Sequence, residues 1–460
     1  MTRLQRWLRT GEARWIIAIF VLAVGVRLAL VAYVHPSPRD GRYDDSVFYD
    51  SAARHLAAGD GYVFDPTVWK APDGAPIYPG QHDLTATALW PPGYPATLAV
   101  VYKLTGDSLW AARLLNALLG ALTPVLAFLI ARRLFDLTAA AFAGVTLAVL
   151  PGHMLYTSVL LTETSFGFLA ALVLTICVYF VFGRERANLP LIAGVGALTA
   201  FTGYVRGEFL AFGLVLALFL LFQYGRRAAL PLAALAFGAA VIVVPWVVRN
   251  AVQMGEPIVG TTSFGRALYQ GNSATAADGT MLTAASQLGQ PYGTGRAQVE
   301  VTTNSDYLHL AREWALHHKL QELKLIPIRL YYLFQDDAGG VTAIQGDKPW
   351  FGASGADRLS RLSSFTFFGL VALALAGAPF WARRRDLRIW LVFSIVPLYM
   401  LLFGVLFVGD PRDHDALYLP LSIFGSVTLA EIWRMTAERR RDVAGGGSVR
   451  PAPHAPARGR

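Results

Sequence analysis

Residues 111–135 read AARLLNALLGALTPVLAFLIARRLF. An apolar run of about twenty residues crosses the hydrocarbon core of a bilayer as a helix, and Arg132 and Arg133 end this run. Short loops on the cytoplasmic side of a membrane collect Lys and Arg. The segment therefore predicts a transmembrane helix whose C-terminal end faces the cytoplasm.

Similar apolar blocks recur along the whole chain. Its 460 residues are 54% hydrophobic and 15% charged, whereas a soluble domain carries about 25% charged residues. We predict an all-α polytopic membrane protein of about ten transmembrane helices. The predicted spans are 15–34, 108–133, 138–156, 163–183, 188–205, 207–224, 228–248, 362–381, 388–408 and 416–434.

Arginine clusters orient these spans. If both termini are cytoplasmic, every cluster falls on the cytoplasmic side, as the positive-inside rule requires. The clusters comprise Arg3, Arg6, Arg9, Arg14, Arg132, Arg133, Arg184, Arg186, Arg226, Arg227, Arg383, Arg384, Arg385, Arg388, Arg434, Arg439, Arg440 and Arg441. We expect a multi-pass protein of the inner (plasma) membrane.

The net charge of +9 is explained by these arginines, which also suit an anionic membrane leaflet. No nucleic-acid partner is expected. The single cysteine, Cys177, leaves no intramolecular disulfide and no Cys-based metal site.

Two regions interrupt the helix pattern, and the topology places both outside the cytoplasm. The predicted transmembrane domain, 1–434, contains outer loop one at 35–107 and outer loop two at 249–361. Both loops contain amphipathic stretches that suit a membrane interface, at 44–58 and 306–334. Residues 435–460 read as a disordered basic cytoplasmic tail.

Charged residues at the outer face have no role in topology. The candidates are Asp44, Asp45, Glu163, Arg206 and Arg412, with Arg27 inside the first span. Charges at membrane depth are costly and mark functional sites. Simpler readings remain open: Asp44 and Asp45 can cap a helix, Glu163 can be a helix-start acid, and Arg27 can extend to the interface.

Such a mixture suits group transfer from a phosphate-bearing lipid. A carboxylate can accept the proton of an acceptor hydroxyl group. Arginines, or a divalent cation held by carboxylates, can bind the lipid phosphate and stabilise it as it leaves. Hard oxygen ligands suit Mg²⁺ or Mn²⁺, and whether such a cofactor is needed stays open.

Several motifs, in order, resemble those of GT-C membrane glycosyltransferases, in particular bacterial protein O-mannosyltransferase-like and aminoarabinose-transferase-like enzymes. The motifs are DSVFYDSAARHLAAGDGY at 45–62, PPGYP at 91–95, the run at 111–135, LLTETSFGFL at 160–169, PW at 245–246 with RN at 249–250, LYQGN at 268–272, and GDPR at 409–412. The resemblance covers most of the chain.

The resemblance implies inverting transfer of one sugar from a polyprenyl-phosphate carrier to a lipid, glycan or protein acceptor, at a site facing the periplasm or exterior. The catalytic acid falls on Asp45, with Asp44 beside it. Substrate-binding positions fall on Glu163, Arg206, Arg412, Tyr269 and Asn272, and we add Arg27 because of its depth. Asp413-His414-Asp415 departs from the family pattern, in which an aromatic and a second basic residue are common.

Two rival functions use the same membrane architecture. A transporter or flippase of lipid-linked sugars predicts broken helices in matched positions and charges near the bilayer midplane. A polysaccharide polymerase or ligase would lack the acid motif of the first outer loop. The absence of a large soluble C-terminal domain favours transfer of a single sugar.

The predicted orientation can be tested by cysteine labelling. After replacement of Cys177, single cysteines placed at 60–90 or 270–300 should react with an impermeant thiol reagent in intact cells, because these segments lie outside. Cysteines at 184–187 or 383–387 serve as the control and should react only after permeabilisation. Labelling of the second set in intact cells would reverse the topology.

Overall fold

The structure is a computed structural model that describes residues 10–40, 44–70, 74–277, 297–345 and 348–444. Its helices, in chain order, are α1 (Gly11–Tyr33), α2 (Asp45–Ala58), α3 (Gly93–Thr105), α4 (Leu109–Leu134), α5 (Leu137–Val149), α6 (Pro151–Leu155), α7 (Thr162–Ile176), α8 (Leu189–Val205), α9 (Phe212–Tyr224), α10 (Ala229–Met254), α11 (Phe264–Gly271), α12 (Ala274–Ala277), α13 (Ala297–His317), α14 (Lys319–Phe334), α15 (Gly339–Gln345), α16 (Gly352–Ala376), α17 (Ala378–Trp381), α18 (Leu387–Phe393), α19 (Ile395–Leu401) and α20 (Tyr418–Ala444). Two short strands, β1 (Val63–Phe64) and β2 (Thr85–Ala86), pair antiparallel in the first outer loop.

The predicted all-α membrane fold is confirmed. Within the described residues, 8 helices are long and apolar enough to cross a membrane, and the bent pair α5 and α6, with its 53° break, makes up to 9. Leu189–Val205 is a shorter apolar helix. Each predicted span thus falls on an apolar helical segment, and the chain is a multi-pass membrane protein.

The helices pack closely at positions where the side chain is glycine. α8 lies against α10, and a Cβ at Gly196 would come within 3.0 Å of the Leu235 carbonyl carbon. A Cβ at Gly238 would come within 2.6 Å of the Ala193 carbonyl carbon. Small residues at such contacts let helix backbones approach each other inside a membrane.

One end of the bundle carries the basic side chains that the sequence assigns to the cytoplasm. Arg132 approaches Glu12 at 3.6 Å, and Arg434 forms an ion pair with Asp136. Arg384 donates to the Leu134 carbonyl at 3.0 Å. These contacts gather the ends of α1, α4, α17 and α20 at one end of the bundle. Arg3, Arg6 and Arg9, and the predicted tail from residue 445 onward, lie outside the described residues. Residues 435–444 continue helix α20.

The two outer loops pack on each other at the opposite end. Glu300 in α13 is 8% exposed and accepts hydrogen bonds from the Thr87 hydroxyl and the Ala88 amide of loop one, both at 2.8 Å, and from the Thr262 hydroxyl of loop two. Burial raises the pKa of the Glu300 carboxyl group. Arg249 donates to the Thr87 carbonyl at 2.7 Å. The loops therefore form one layer above the bundle.

A second buried acid fixes the start of loop one. Asp50 in α2 is 1% exposed and accepts from Arg39 at 2.8 Å, from Arg54 at 3.1 Å and from the Tyr102 hydroxyl at 2.7 Å. The bond to Asp50 raises the pKa of Arg39. Since Tyr102 belongs to α3, Asp50 holds α2 and α3 together.

Glu300 provides a test of the packing between the loops. Glu300→Ala should lower the free energy of unfolding by about 1–3 kcal/mol for each buried donor left without a partner, measured as a fall in the thermal midpoint of the purified protein. Glu300→Gln is the matched control, because its amide oxygen still accepts and the threonine hydroxyls can rotate to accept from its NH₂ group. Equal stability of Glu300→Ala and wild type would show that this contact does not hold the loops together.

Candidate functional site

Five acidic and two basic side chains meet at the loop-bearing end of the bundle. We call this set the outer ion cluster; its members are Asp45, Glu163, Arg206, Glu208, Arg412, Asp413 and Asp415. They come from four separate segments of the chain, so tertiary packing alone brings them together.

Helix ends place the acids of the cluster. Asp44 is the N-cap of α2 and accepts from the Ser46 amide at 2.9 Å, while Asp45 is the first residue of the helix. Glu163 lies in the first turn of α7. Carboxylates are stabilised in the first turn by the helix dipole. The capping role therefore belongs to Asp44, and the Asp45 side chain extends toward the cluster.

Arg412 joins two of these acids. Its Nη1 lies 2.9 Å from Asp45 Oδ2, and its Nε donates to Glu163 Oε1. The side chains of Arg412 and Asp45 are 29% and 30% exposed, whereas that of Glu163 is 1% exposed. Arg412 thus connects a buried acid to one that solvent or a ligand can reach.

Arg206 forms the buried half of the cluster. It follows α8 as the C-cap residue, where a cation suits the helix dipole. Its partners are Glu163 at 3.4 Å, Glu208 at 2.6 Å, Asp413 at 2.7 Å and Asp415 at 3.4 Å. The Arg206 side chain is 9% exposed and lies 5.6 Å from the Phe166 ring centroid. With four carboxyl partners, Arg206 is held far more firmly than Arg412.

The outer ion cluster combines predicted residues with others that the sequence did not select. Asp45, Glu163, Arg206 and Arg412 are brought together. Asp413 and Asp415, which depart from the family pattern, are partners of Arg206, and Glu208 is its neighbour in the turn. Their signal is the dense charge of PRDHD at 411–415 and of RGE at 206–208.

Three candidates lie elsewhere, and in the described part of the chain their hydrogen bonds do not reach the cluster. Arg27 is fully buried among α1, α4 and α5 and donates to the Ala23 and Ala148 carbonyls at 3.2 and 3.0 Å, so it does not extend to the interface. The Tyr269 ring lies 5.4 Å from that of Tyr307. Asn272 donates to the Leu406 carbonyl at 2.7 Å. These contacts hold helices and loops together.

The described residues contain no group of three or more His, Cys, Asp or Glu side chains arranged to hold a metal ion. In the cluster, the Arg412 guanidinium lies between Asp45 and Glu163, where a shared cation would have to bind. The carboxylates as placed therefore do not fit Mg²⁺ or Mn²⁺. The positive charge at this site comes from arginine.

Comparisons with known proteins agree with this architecture. Residues 90–248 match the family model described as dolichyl-phosphate-mannose-protein mannosyltransferase. That segment includes Glu163 and Arg206. No sequence among the curated proteins matches the chain.

Solved structures align with this chain at low sequence identity, and those of one archaeal enzyme share its fold. The oligosaccharyltransferase AglB from Archaeoglobus fulgidus, in complex with an inhibitory peptide and a dolichol-phosphate, aligns over 95% of this chain and 53% of its own, with a TM-score of 0.56 and 14% identity. The same enzyme tethered to an acceptor peptide aligns over 96% and 52%, with a TM-score of 0.57 and 15% identity. ArnT from Cupriavidus metallidurans, bound to undecaprenyl phosphate, covers 96% of this chain and 82% of its own, with a TM-score of 0.42 and 15% identity.

The present chain spans about half the length of the archaeal oligosaccharyltransferase chains that it matches. The resemblance to GT-C glycosyltransferases is confirmed by the family-model match and the shared fold.

The different burial of Glu163 and Asp45 gives a stability test. Glu163→Gln should destabilise the protein by about 3–5 kcal/mol, because removing one partner of a buried ion pair leaves the others uncompensated. Asp45→Asn should cost less than about 1 kcal/mol, since a pair whose side chains are both partly exposed contributes little. Thermal unfolding of both variants in the same detergent checks the order, and equal losses would contradict the buried position of Glu163.

Proposed function

We propose that this protein is a glycosyltransferase that moves one sugar from a polyprenyl-phosphate carrier to a lipid, glycan or protein acceptor, with inversion, at the outer face of the inner membrane. The observation that carries the proposal is the Arg412 guanidinium held between Asp45 and Glu163, at the loop-bearing end of a fold shared with an oligosaccharyltransferase. The family-model match over 90–248 supports the same class of reaction.

Asp45 is the base in this proposal. The acceptor hydroxyl gives its proton to the Asp45 carboxylate as its oxygen attacks the anomeric carbon of the sugar. The bond between that carbon and the phosphate oxygen breaks on the opposite face, and polyprenyl phosphate leaves with the electron pair. This arrangement inverts the anomeric centre. Asp45 is suited to the role because its side chain is 30% exposed and is not needed to cap α2.

Arg412 is the phosphate-binding group. A guanidinium pairs with phosphate as well as with carboxylate, so the donor phosphate would compete with Asp45 for Arg412. Binding of the donor then releases Asp45 from its ion pair and leaves the carboxylate able to accept a proton. Arg206, with four carboxyl partners, maintains the cluster and adds positive charge behind the phosphate.

The membrane setting supports a polyprenyl carrier and an outward-facing site. The archaeal oligosaccharyltransferase that shares the fold was solved in complex with a dolichol-phosphate. An apolar carrier can lie beside the spans with its phosphate at the level of the outer ion cluster. The charge pattern assigns the other end of the bundle to the cytoplasm.

A transporter or flippase of lipid-linked sugars is the alternative. It would move the intact carrier, whereas the proposed enzyme releases free polyprenyl phosphate and a glycosylated acceptor. The outer position of the cluster supports the enzyme, because a transport site lies near the bilayer midplane.

Asp45→Asn separates the two functions. Transfer of radiolabelled sugar from a polyprenyl-phosphate donor pool to envelope acceptors should fall by about 10²-fold or more, because the proton acceptor is lost. Asp44→Asn is the matched control and should transfer sugar nearly normally, since Asn caps a helix about as well as Asp.

Transfer by well-folded Asp45→Asn within a few-fold of wild type would remove Asp45 as the base. If vesicles that contain the wild-type protein move the intact lipid-linked sugar across their membrane without releasing polyprenyl phosphate, the transporter is favoured.

A further inference from the structure

A second polar group lies directly behind the outer ion cluster, and no step proposed above uses it. Asp337, which precedes α15, contacts His414 from the last outer turn, Tyr418 at the start of α20 and Ser363 from α16. Their exposed fractions are 1%, 0%, 2% and 0%. Burying a carboxyl group and an imidazole in the same place is costly unless their hydrogen bonds are satisfied.

The hydrogen bonds fix the orientation of the His414 ring. Its Nδ1 lies 2.7 Å from the Leu333 carbonyl oxygen, and its Nε2 lies 2.9 Å from Asp337 Oδ1. Both ring nitrogens therefore have an oxygen partner, and the ring cannot turn without losing one of them.

Further contacts hold both partners rigidly. Asp337 also accepts from the Ser363 hydroxyl at 2.7 Å and from the Tyr418 hydroxyl, and its amide donates to Ser364 at 2.9 Å. The Phe367 ring stacks on His414 with a centroid distance of 4.2 Å and an interplanar angle of 10°. α14, α16 and α20 thus hold His414 from three sides.

His414 is also part of the segment that supplies the cluster. Asp413 and Asp415 on either side of it bind Arg206, and Arg412 lies two residues before it. The turn after Asp337 packs on the same segment, because a Cβ at Gly339 would come within 3.3 Å of Arg412 Cα. Any shift of His414 therefore moves the backbone that carries Arg412, Asp413 and Asp415.

We propose that the Asp337–His414 pair is a positioning element that fixes the 409–417 segment and, through it, sets Arg412 for the donor phosphate. The inference rests on the proposed function as far as the phosphate is concerned. Full burial keeps the His414 ring from touching substrate, so it acts through Arg412. The pair couples outer loop two to the site, because Asp337 follows α14 of that loop.

The test is binding of undecaprenyl phosphate to the full-length protein in nanodiscs. His414→Ala should weaken binding about tenfold, the loss of roughly one well-placed charge-assisted contact, and should raise amide hydrogen exchange in residues 409–417. Thr428→Val is the matched control: it removes the 2.6 Å hydrogen bond to the Leu373 carbonyl between α20 and α16, away from the cluster. The control should leave both readouts unchanged.

A double-mutant cycle identifies the route of the effect. In an Arg412→Ala background, His414→Ala should weaken binding no further, because residues that act through one another are not additive. Additive losses, or wild-type binding by His414→Ala, would overturn the proposal. If His414→Ala does not fold, Tyr418→Phe removes one hydrogen bond from Asp337 and carries the same comparison with a smaller expected loss.

The two readouts separate this inference from the proposed function. If wild-type protein does not bind undecaprenyl phosphate, the donor assignment fails, and hydrogen exchange alone decides the positioning role. Unchanged exchange of residues 409–417 in His414→Ala, relative to Thr428→Val, would then remove that role as well.

Discussion

The Glu163 carboxyl group has to be neutralised where it lies, at the buried start of α7. A side chain that is 1% exposed at the end of an apolar helix cannot be left charged and unpaired. Arg206 and Arg412 both reach it, one from the end of α8 and one from the turn before α20. This requirement draws three distant segments together, and the other cluster members follow because Arg206 needs further carboxyl partners.

Arg206 and Arg412 have different surroundings and therefore different roles in the cluster. Arg206 has four carboxyl partners and little exposure, which makes it part of the framework. Arg412 pairs with the partly exposed Asp45, and in the proposed function it exchanges that partner for the donor phosphate. Ion pairs between arginine and carboxylate thus provide a fixed framework around Arg206 and an exchangeable contact at Arg412. The proposed transfer reaction uses both.

The layer of outer loops serves the same site. Glu300 joins loops one and two, and Asp50 joins α2, which begins at Asp45, to α3. Behind the cluster, Asp337 and His414 connect loop two to the segment of Arg412. Buried polar groups with satisfied hydrogen bonds occur at each of these junctions, where uniform apolar packing would specify the arrangement less closely.

Apolar block length and arginine placement predicted where the membrane helices lie, because both act locally along the chain. The prediction of about ten spans compares with 8, or up to 9, among the described residues. The sequence also indicated Asp45, Glu163, Arg206 and Arg412, since charges at membrane level have few structural uses. The sequence could not divide the roles of Asp44 and Asp45, which depend on which residue begins α2.

Nor could it reveal that Asp413 and Asp415 bind Arg206, or that Arg27, Tyr269 and Asn272 lie in structural contacts elsewhere. Those outcomes depend on contacts between residues far apart in the chain, such as the 2.7 Å contact between Arg206 and Asp413, and only three-dimensional packing sets such distances.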